Sequence, residues 1–520
     1  MFRRRDDNAH IFLGKLLLVA SCIGAISANA GTATGPVITN ASKLKSGGVV
    51  LAWTSETNAF TNVFFNIQGT TNLNSGFLTL SLPISENASL VYTDTVLSAS
   101  GAAFYRVAES NAYTALNQPG AFTAFAATNI NGLNPAGCGG AVFDGRFVYF
   151  VPFQGGGGYH GRVLRLDTQS NFTNVGSWTC YDAGSTGGYA TQGYEGGVFD
   201  GRYVYFSPAV AYPTNAQAGK VLRLDTTGNF LSPTNWSAFN TISINGLPSY
   251  GFQGAVFDGR YVYFVPHVNT NWSSVALRYD TRANFTDTNS WQAYDAGNTS
   301  GLNTRGFSGG VFDGRYVYFS PTLNGAPDGI VLRFDTHGGF TNSGSWQAFD
   351  ASATAGLSAV DYKGALFDGH YVYFIPNLTF NTTALRYDTA STFTNSVSWS
   401  AFNATNLNGL FTQGYDAGVS DGRFIYFVPY HDTSTGNVWH ARLTRYDTQG
   451  NFTNAASWSA FDAGGTSGLP SQGYEGAVSD GRYIYFAPYH NTNDYSGVVL
   501  RFDAHLPRSV PATVSGGSNL

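Results

Sequence analysis

The chain has 520 residues and a formal net charge of −5; aromatic residues make up 15% of it and charged residues only 11%, with 63 glycines and a single methionine. Chains rich in Gly, Tyr and Phe and poor in Lys and Glu build strands and turns, which argues against a helical protein. A diffuse negative balance without a run of Lys or Arg suits neither nucleic acid nor an anionic membrane, so nucleic-acid partners are set aside.

In chain order, residues 1–30 read as a signal peptide. Arg3 to Arg5 form the basic start, Ile11 to Ile26 is mostly apolar, and Ala28-Asn29-Ala30 is an A-x-A cleavage site. Lys15 inside the run and the small residues near its end favour cleavage over a retained anchor. The expectation is a secreted or cell-surface protein with no transmembrane segment after cleavage. Cys22 leaves with the leader, and the two remaining thiols, Cys138 and Cys180, cannot make a disulfide framework.

Residues 36–110 carry strand-like runs at Val49–Trp53, Asn62–Gly69, Phe77–Pro83, Leu90–Thr95 and Phe104–Val107, a spacing that predicts a small β-sandwich. With Trp53 as a core aromatic and Phe104–Val107 as a closing strand, the segment resembles a fibronectin type III module. Residues 111–120 read as a linker and residues 506–520 as a loose C-terminal tail.

From residue 121 to 505 one phrase recurs seven times, Gly-Ala-Val-Phe-Asp-Gly-Arg-Tyr-Val-Tyr-Phe-Val-Pro with small changes. Its Asp falls at Asp144, Asp200, Asp258, Asp313, Asp368, Asp421 and Asp480, at spacings of 53 to 59 residues. Such a period, filled with β-type residues, predicts propeller blades. Each unit holds a Gly-Ala-Val-Phe strand, an Asp-Gly turn of the type I′ hairpin kind, a Tyr-Val-Tyr-Phe strand, a third strand ending in Arg-x-Asp, and a fourth beginning at Trp. The seventh unit stops at Arg501-Phe502-Asp503 without a fourth strand, while Ala121–Phe125 stands unclaimed before the first. The N-terminal strand is therefore expected to complete the last blade and close the ring, giving an all-β, seven-bladed propeller of four-stranded blades.

The unit resembles a kelch repeat over residues 118–505, as Tyr261-Val262-Tyr263-Phe264, Tyr279-Asp280 and Trp291 illustrate. It departs from that pattern after the second strand, where Val-Pro, Ser-Pro or Ala-Pro stands and the kelch Gly-Gly is not in its usual place. The resemblance implies scaffolds, lectin-like binders and, more rarely, enzymes.

Residues repeated in every blade, the Arg-x-Asp pairs (Arg165 with Asp167 through Arg501 with Asp503) and the Asp-Gly-Arg hairpins, are assigned to structure. The Asn-Phe-Thr sequons at Asn171, Asn284 and Asn451 are explained by Asx-turns. Function belongs where the repeats diverge. The residue after the strand-one aromatic is Gly139, Glu195, Gln253, Ser308, Lys363, Asp416 or Glu475, and these should surround the central opening. The loops after strand two carry His267 and, all in blades six, seven and one, Tyr159, His160, Tyr430, His431, Asp432, Trp439, His440, Tyr489, His490 and Tyr495. Aromatic faces beside polar groups suit sugar rings.

The expected function is an exported, non-catalytic binding protein recognising a glycan or a surface or extracellular protein, with no cofactor, metal ligand or catalytic residue assigned. The alternative is a carbohydrate-active enzyme, or a copper-dependent one of the kelch-type radical-oxidase kind. The second implies a Tyr cross-linked to Cys, for which Cys138 with the Tyr430-His431 and Tyr489-His490 pairs are the counterparts.

Overall fold

A computed structural model describes residues 114–118, 120–209, 219–377, 382–432 and 438–504, together with the strands between residues 37 and 110. Residues 1–30 and 506–520, read above as leader and tail, lie outside the described residues. The chain divides into two units, Met1–Ala115 with Asp503–Leu520, and Leu116–Phe502. In the first, Val37–Lys43, Val49–Thr54 and Val91–Asp94 form one sheet; Phe64–Thr70 pairs with Leu78–Thr79, Ile84–Ser85 and Phe104–Ser110 in another.

The second unit is a seven-bladed β-propeller of four-stranded antiparallel sheets. Blade three is representative, with strands Phe252–Phe257, Tyr261–Pro266, Val275–Asp280 and Trp291–Asp295. Strand two is buried on both faces because neighbouring blades pack on either side of it. The fourth-strand Trp anchors each of the first six blades: in blade three Trp291 is buried and its Nε1 donates to the Phe285 carbonyl at 3.0 Å.

Closure follows the sequence. Phe122–Ala126 pairs antiparallel with Val498–Asp503, so the missing fourth strand of blade seven comes from the start of the ring. Phe125 then stacks on Trp178 of blade one at 5.0 Å, as Tyr181 stacks on Trp236 of blade two at 5.2 Å. Asn129–Leu133, which follows this strand, resembles in sequence Asn406–Leu410, which follows the fourth strand of blade five, and the likeness extends to detail. Asn131 and Asn408 both adopt positive φ, and each side-chain oxygen accepts a hydrogen bond from the following blade, from Cys180 N and Ala460 N.

Two local expectations change. The hairpin loop is centred on Gly145-Arg146, because Asp144 N donates to the Phe147 carbonyl. Only the glycine has positive φ (100°), the signature of a type II′ turn and not of type I′. Asp144 stands before the turn as its anchor, accepting from Arg146 N, Phe147 N and Tyr149 Oη. The Arg-x-Asp pairing is also rearranged. Asp167 is bridged at 2.7 Å by Arg146 of the hairpin, while Arg165 lies between the rings of Phe147 in its own blade and Phe230 in the next, 4.2 and 4.3 Å from their centroids. The planar guanidinium suits this stacking, each face worth about 0.5–2 kcal/mol. The repeated Arg is thus an inter-blade spacer.

Candidate functional site

The strand-one sequence opens with a β-bulge that aims one side chain per blade at the axis. In blade two Tyr194 pairs with Pro208 and Gly197 with Phe206, leaving Glu195 and Gly196 opposite a single residue. Bulges re-aim side chains in this way. The bulge glycine has positive φ at Gly140, Gly196, Gly254, Gly309, Gly364 and Gly476. These glycines also pack backbone to backbone around the axis: a Cβ on Gly309 would sit 2.8 Å from the Cα of Gly364. Blade six departs from the rule with Ala417, where a Cβ built on Gly364 would meet the Ala417 Cα at 3.9 Å and the ring is looser.

The residues before these positions converge on one cavity of about 180 Å³, lined by Gly139, Glu195, Gln253, Ser308, Lys363, Asp416 and Glu475. All seven axial positions predicted from the repeat alignment meet there. Lys363 is the hub: its Nζ is ion-paired with Asp416, lies 3.1 Å from Glu475 Oε1 and 4.0 Å from Glu195 Oε1. Gln253 Nε2 donates to Glu195 Oε2. Gly139 contributes space, since a Cβ there would collide with the Tyr194 carbonyl and crowd Phe153 and Glu195.

Three carboxylates and one ammonium share a setting in which Asp416 and Glu475 are each 4% exposed. Burial pulls Lys363 toward its neutral form, but Asp416, Glu475 and Glu195 outweigh it and hold the ammonium well above the usual lysine range. Burial also raises the Asp416 carboxyl to about 6 against the pull of Lys363. Glu475 rises well above the carboxylate range through burial, reinforced by Asp416 and Glu195. Glu195 goes the other way: burial opposes ionisation, yet Lys363, a hydrogen bond with Glu475, His267 and Gln253 together lower it. The two glutamates thus share a proton as one coupled pair.

An arc of rings borders the mouth. Tyr430 stacks on Tyr489 at 5.7 Å, Trp439 meets Tyr430 edge-on at 4.9 Å and stacks on His490 at 4.5 Å, and His431 lies 4.4 Å from Trp439. Phe153 bridges Tyr489 (5.9 Å) and Tyr159 (5.5 Å), and Tyr495 packs on Tyr489 at 5.6 Å. Lys363 Nζ is 5.7 Å from the Tyr430 ring centroid, so wall and acidic mouth are continuous. Across the mouth stands His267, which burial lowers to about 4, so its imidazole is neutral near pH 7; its ring packs on Trp272 at 5.4 Å.

Three of the predicted binding residues instead hold loops in place. His160 is buried, with Nε2 2.9 Å from the Ala136 carbonyl and Nδ1 accepting from Arg162 N; burial lowers it to about 4. His440 repeats the arrangement in blade six, with Nδ1 accepting from Arg442 N, and burial lowers it to about 3. Asp432 is fully buried, receiving Gln413 Nε2 and Arg442 Nη2 at 2.6 and 2.9 Å. Their sequence neighbours face the mouth; these side chains fold back into the loop bases. Cys138, the counterpart of the cross-linked thiol, donates to the Pro135 carbonyl within the core between blades seven and one, and burial raises its thiol well above the usual range.

Two residues were missed. Trp272 carried no repeat signal, being one aromatic in a loop of variable length. Asp361 takes the place that six blades give to glycine; it has φ 62° and accepts from Thr322 Oγ1 and Asn377 Nδ2. An alignment of the seven Gly-aromatic pairs would have exposed that exception. Among the described residues no three His, Cys, Asp or Glu side chains are gathered as a metal site, and no helix is long and apolar enough to cross a membrane.

No protein-family model and no curated protein matches the sequence. Solved structures do resemble its fold. Kuenenia stuttgartiensis hydrazine synthase is 13% identical, with 71% of this chain and 96% of that chain covered and a TM-score of 0.43. The β-propeller domain of the Trilobed protease from Pyrococcus furiosus is 10% identical over 72% and 99%, TM-score 0.39; the Dos1 propeller is 11% identical over 74% and 95%, TM-score 0.36. None of these likenesses brings an activity to this chain.

Proposed function

We propose that this chain is an exported, kelch-like propeller whose mouth face recognises the end of a glycan. The observation that carries the reading is the unbroken wall of Phe153, Tyr159, Tyr489, Tyr430 and Trp439 alongside the acidic mouth. Aromatic faces cover the apolar side of a sugar ring, and carboxylates, an ammonium and an amide beside them meet its hydroxyls. All of these rings are half-buried, so each keeps part of its surface exposed to solvent. Export rests on Arg3–Arg5, the apolar run and Ala28-Asn29-Ala30.

A glycan array on the mature protein tests the reading. Selective binding that disappears in Trp439→Ala, with the melting temperature kept, supports it; an array silent for every saccharide while a surface protein is captured moves the assignment to a protein partner.

The enzymatic alternative draws on the same groups, and the proton shared between Glu475 and Glu195 is what favours it. A hydrogen-bonded pair is closer than the roughly 5–10 Å at which glycosidase carboxylates flank a scissile bond, which supports binding over cleavage. Reducing-sugar release from a bound oligosaccharide, lost in Glu475→Gln, would establish the enzyme instead.

A further inference from the structure

The ligand of the mouth is constrained further by charge, in a way that rests on the glycan reading. Lys363 supplies one positive charge against Glu195, Asp416 and Glu475. With one proton held between the two glutamates, the mouth keeps one negative charge in excess, and His267 facing it is neutral near pH 7. Asp361, the remaining acid close to Lys363, adds only to that excess when ionised. An uncompensated charge on buried carboxylates is costly, and a cation entering from solvent removes the cost.

The geometry says where that cation would go. Glu475 is 4% exposed, lines the cavity, and its Oε2 receives no hydrogen bond from any amide, hydroxyl or ammonium. The rings of Tyr430 and Tyr489 lie beside it, and aromatic faces attract ammonium groups. Lys363 occupies the centre of the carboxylates and repels a divalent ion from it. At about 180 Å³ the cavity falls below the ~300 Å³ of ordinary small-molecule pockets, so it admits one terminal unit and not a chain.

We infer that the mouth takes a protonated primary amine carried on a sugar ring: the glycan recognised is one that ends in an unacetylated amino sugar. The amine meets Glu475 and Asp416, and the ring lies against Tyr430, Tyr489 and Trp439. Acetylation would remove the charge and add bulk, and a neutral hexose offers no cation.

Calorimetry on the mature protein at pH 7 provides the test, with glucosamine, N-acetylglucosamine and glucose oligomers of equal length. The glucosamine oligomer is expected to bind at least about tenfold more tightly than either of the others, one unpaired charge at contact distance being worth that much even when screened. The preference should vanish in Asp416→Asn and in the double variant Glu195→Gln/Glu475→Gln. Both remove the excess charge by different routes, so misfolding of one leaves the other decisive. Equal affinities, or a preference that outlives the neutralising variants, would overturn the inference while leaving glycan binding intact. A lysine-containing peptide that binds as tightly as the glucosamine oligomer would overturn the sugar assignment. Absence of binding by any saccharide would defeat the glycan reading itself.

Discussion

The two ends of the same blades have opposite characters. At the hairpin end, Asp144, Arg146, Arg165 and Asp167 and their counterparts form nearly the same network blade after blade, with a repeated ion pair and a repeated stacked guanidinium. At the mouth end, the position one residue past the strand-one aromatic holds Gly, Glu, Gln, Ser, Lys, Asp and Glu in turn. The contrast teaches how a closed ring separates its tasks. Every blade must meet its neighbour identically, so one end is uniform; only the axis is shared by all seven, so divergence there produces a single site.

Substitutions at the two ends should therefore fail differently. The largest effect is expected in the uniform layer: Trp291→Ala should lose about 3–5 kcal/mol in denaturant unfolding, because a fully buried indole leaves a cavity. Trp439→Ala, at the mouth, should cost under about 1 kcal/mol of stability yet weaken glycan binding tenfold or more, the pattern of an interface aromatic. Equal stability losses in the two variants would erase the distinction between the uniform layer and the mouth.

Next in size is Gly309→Ala. It places a Cβ 2.8 Å from the Gly364 Cα on a residue with φ 69°, and should cost about 1–3 kcal/mol, read as a lower melting temperature. The same substitution at Gly145, whose Cβ meets nothing within 4 Å, isolates the conformational part of that cost.

A pH series sharpens the mouth. Asp416 titrates higher in the folded chain than in an unfolded one, so the fold binds more protons than the unfolded state between pH 4 and 6. Its contribution is stabilising below about pH 4 and is lost as pH rises through 6. Asp416→Asn should flatten the fall of melting temperature across that window; an unchanged slope would show that Asp416 titrates normally. The smallest effect belongs to Arg146→Ala. Its ion pair with Asp167 is half exposed, and such pairs are worth about 0–1 kcal/mol, falling with salt.

The ring was legible because it is written seven times: the Asp positions fixed blade number, and the orphaned Phe122 strand fixed closure. The axial set was legible for the same reason, since equivalent positions in equivalent blades must converge. What escaped was direction within loops. Tyr430, His431 and Asp432 are consecutive, yet only the first borders the ion cluster while Asp432 turns inward to Arg442, and no repeat pattern encodes that choice. The structural role of the repeated Arg was legible, but its partners were not, because they lie outside its own strand. Arg165 and Asp167 share a strand face, but the next blade offers the guanidinium a ring, and the hairpin offers the carboxylate a fork.

The strand Phe122–Ala126 lies more than 370 residues before its partner Val498–Asp503, and the aromatic wall is assembled from blades on both sides of that seam. During synthesis the wall therefore cannot exist until the last blade has emerged and been clasped by the first strand made. On the proposed reading, ligand capture reports a finished ring, and removal of residues 121–126 is expected to abolish it.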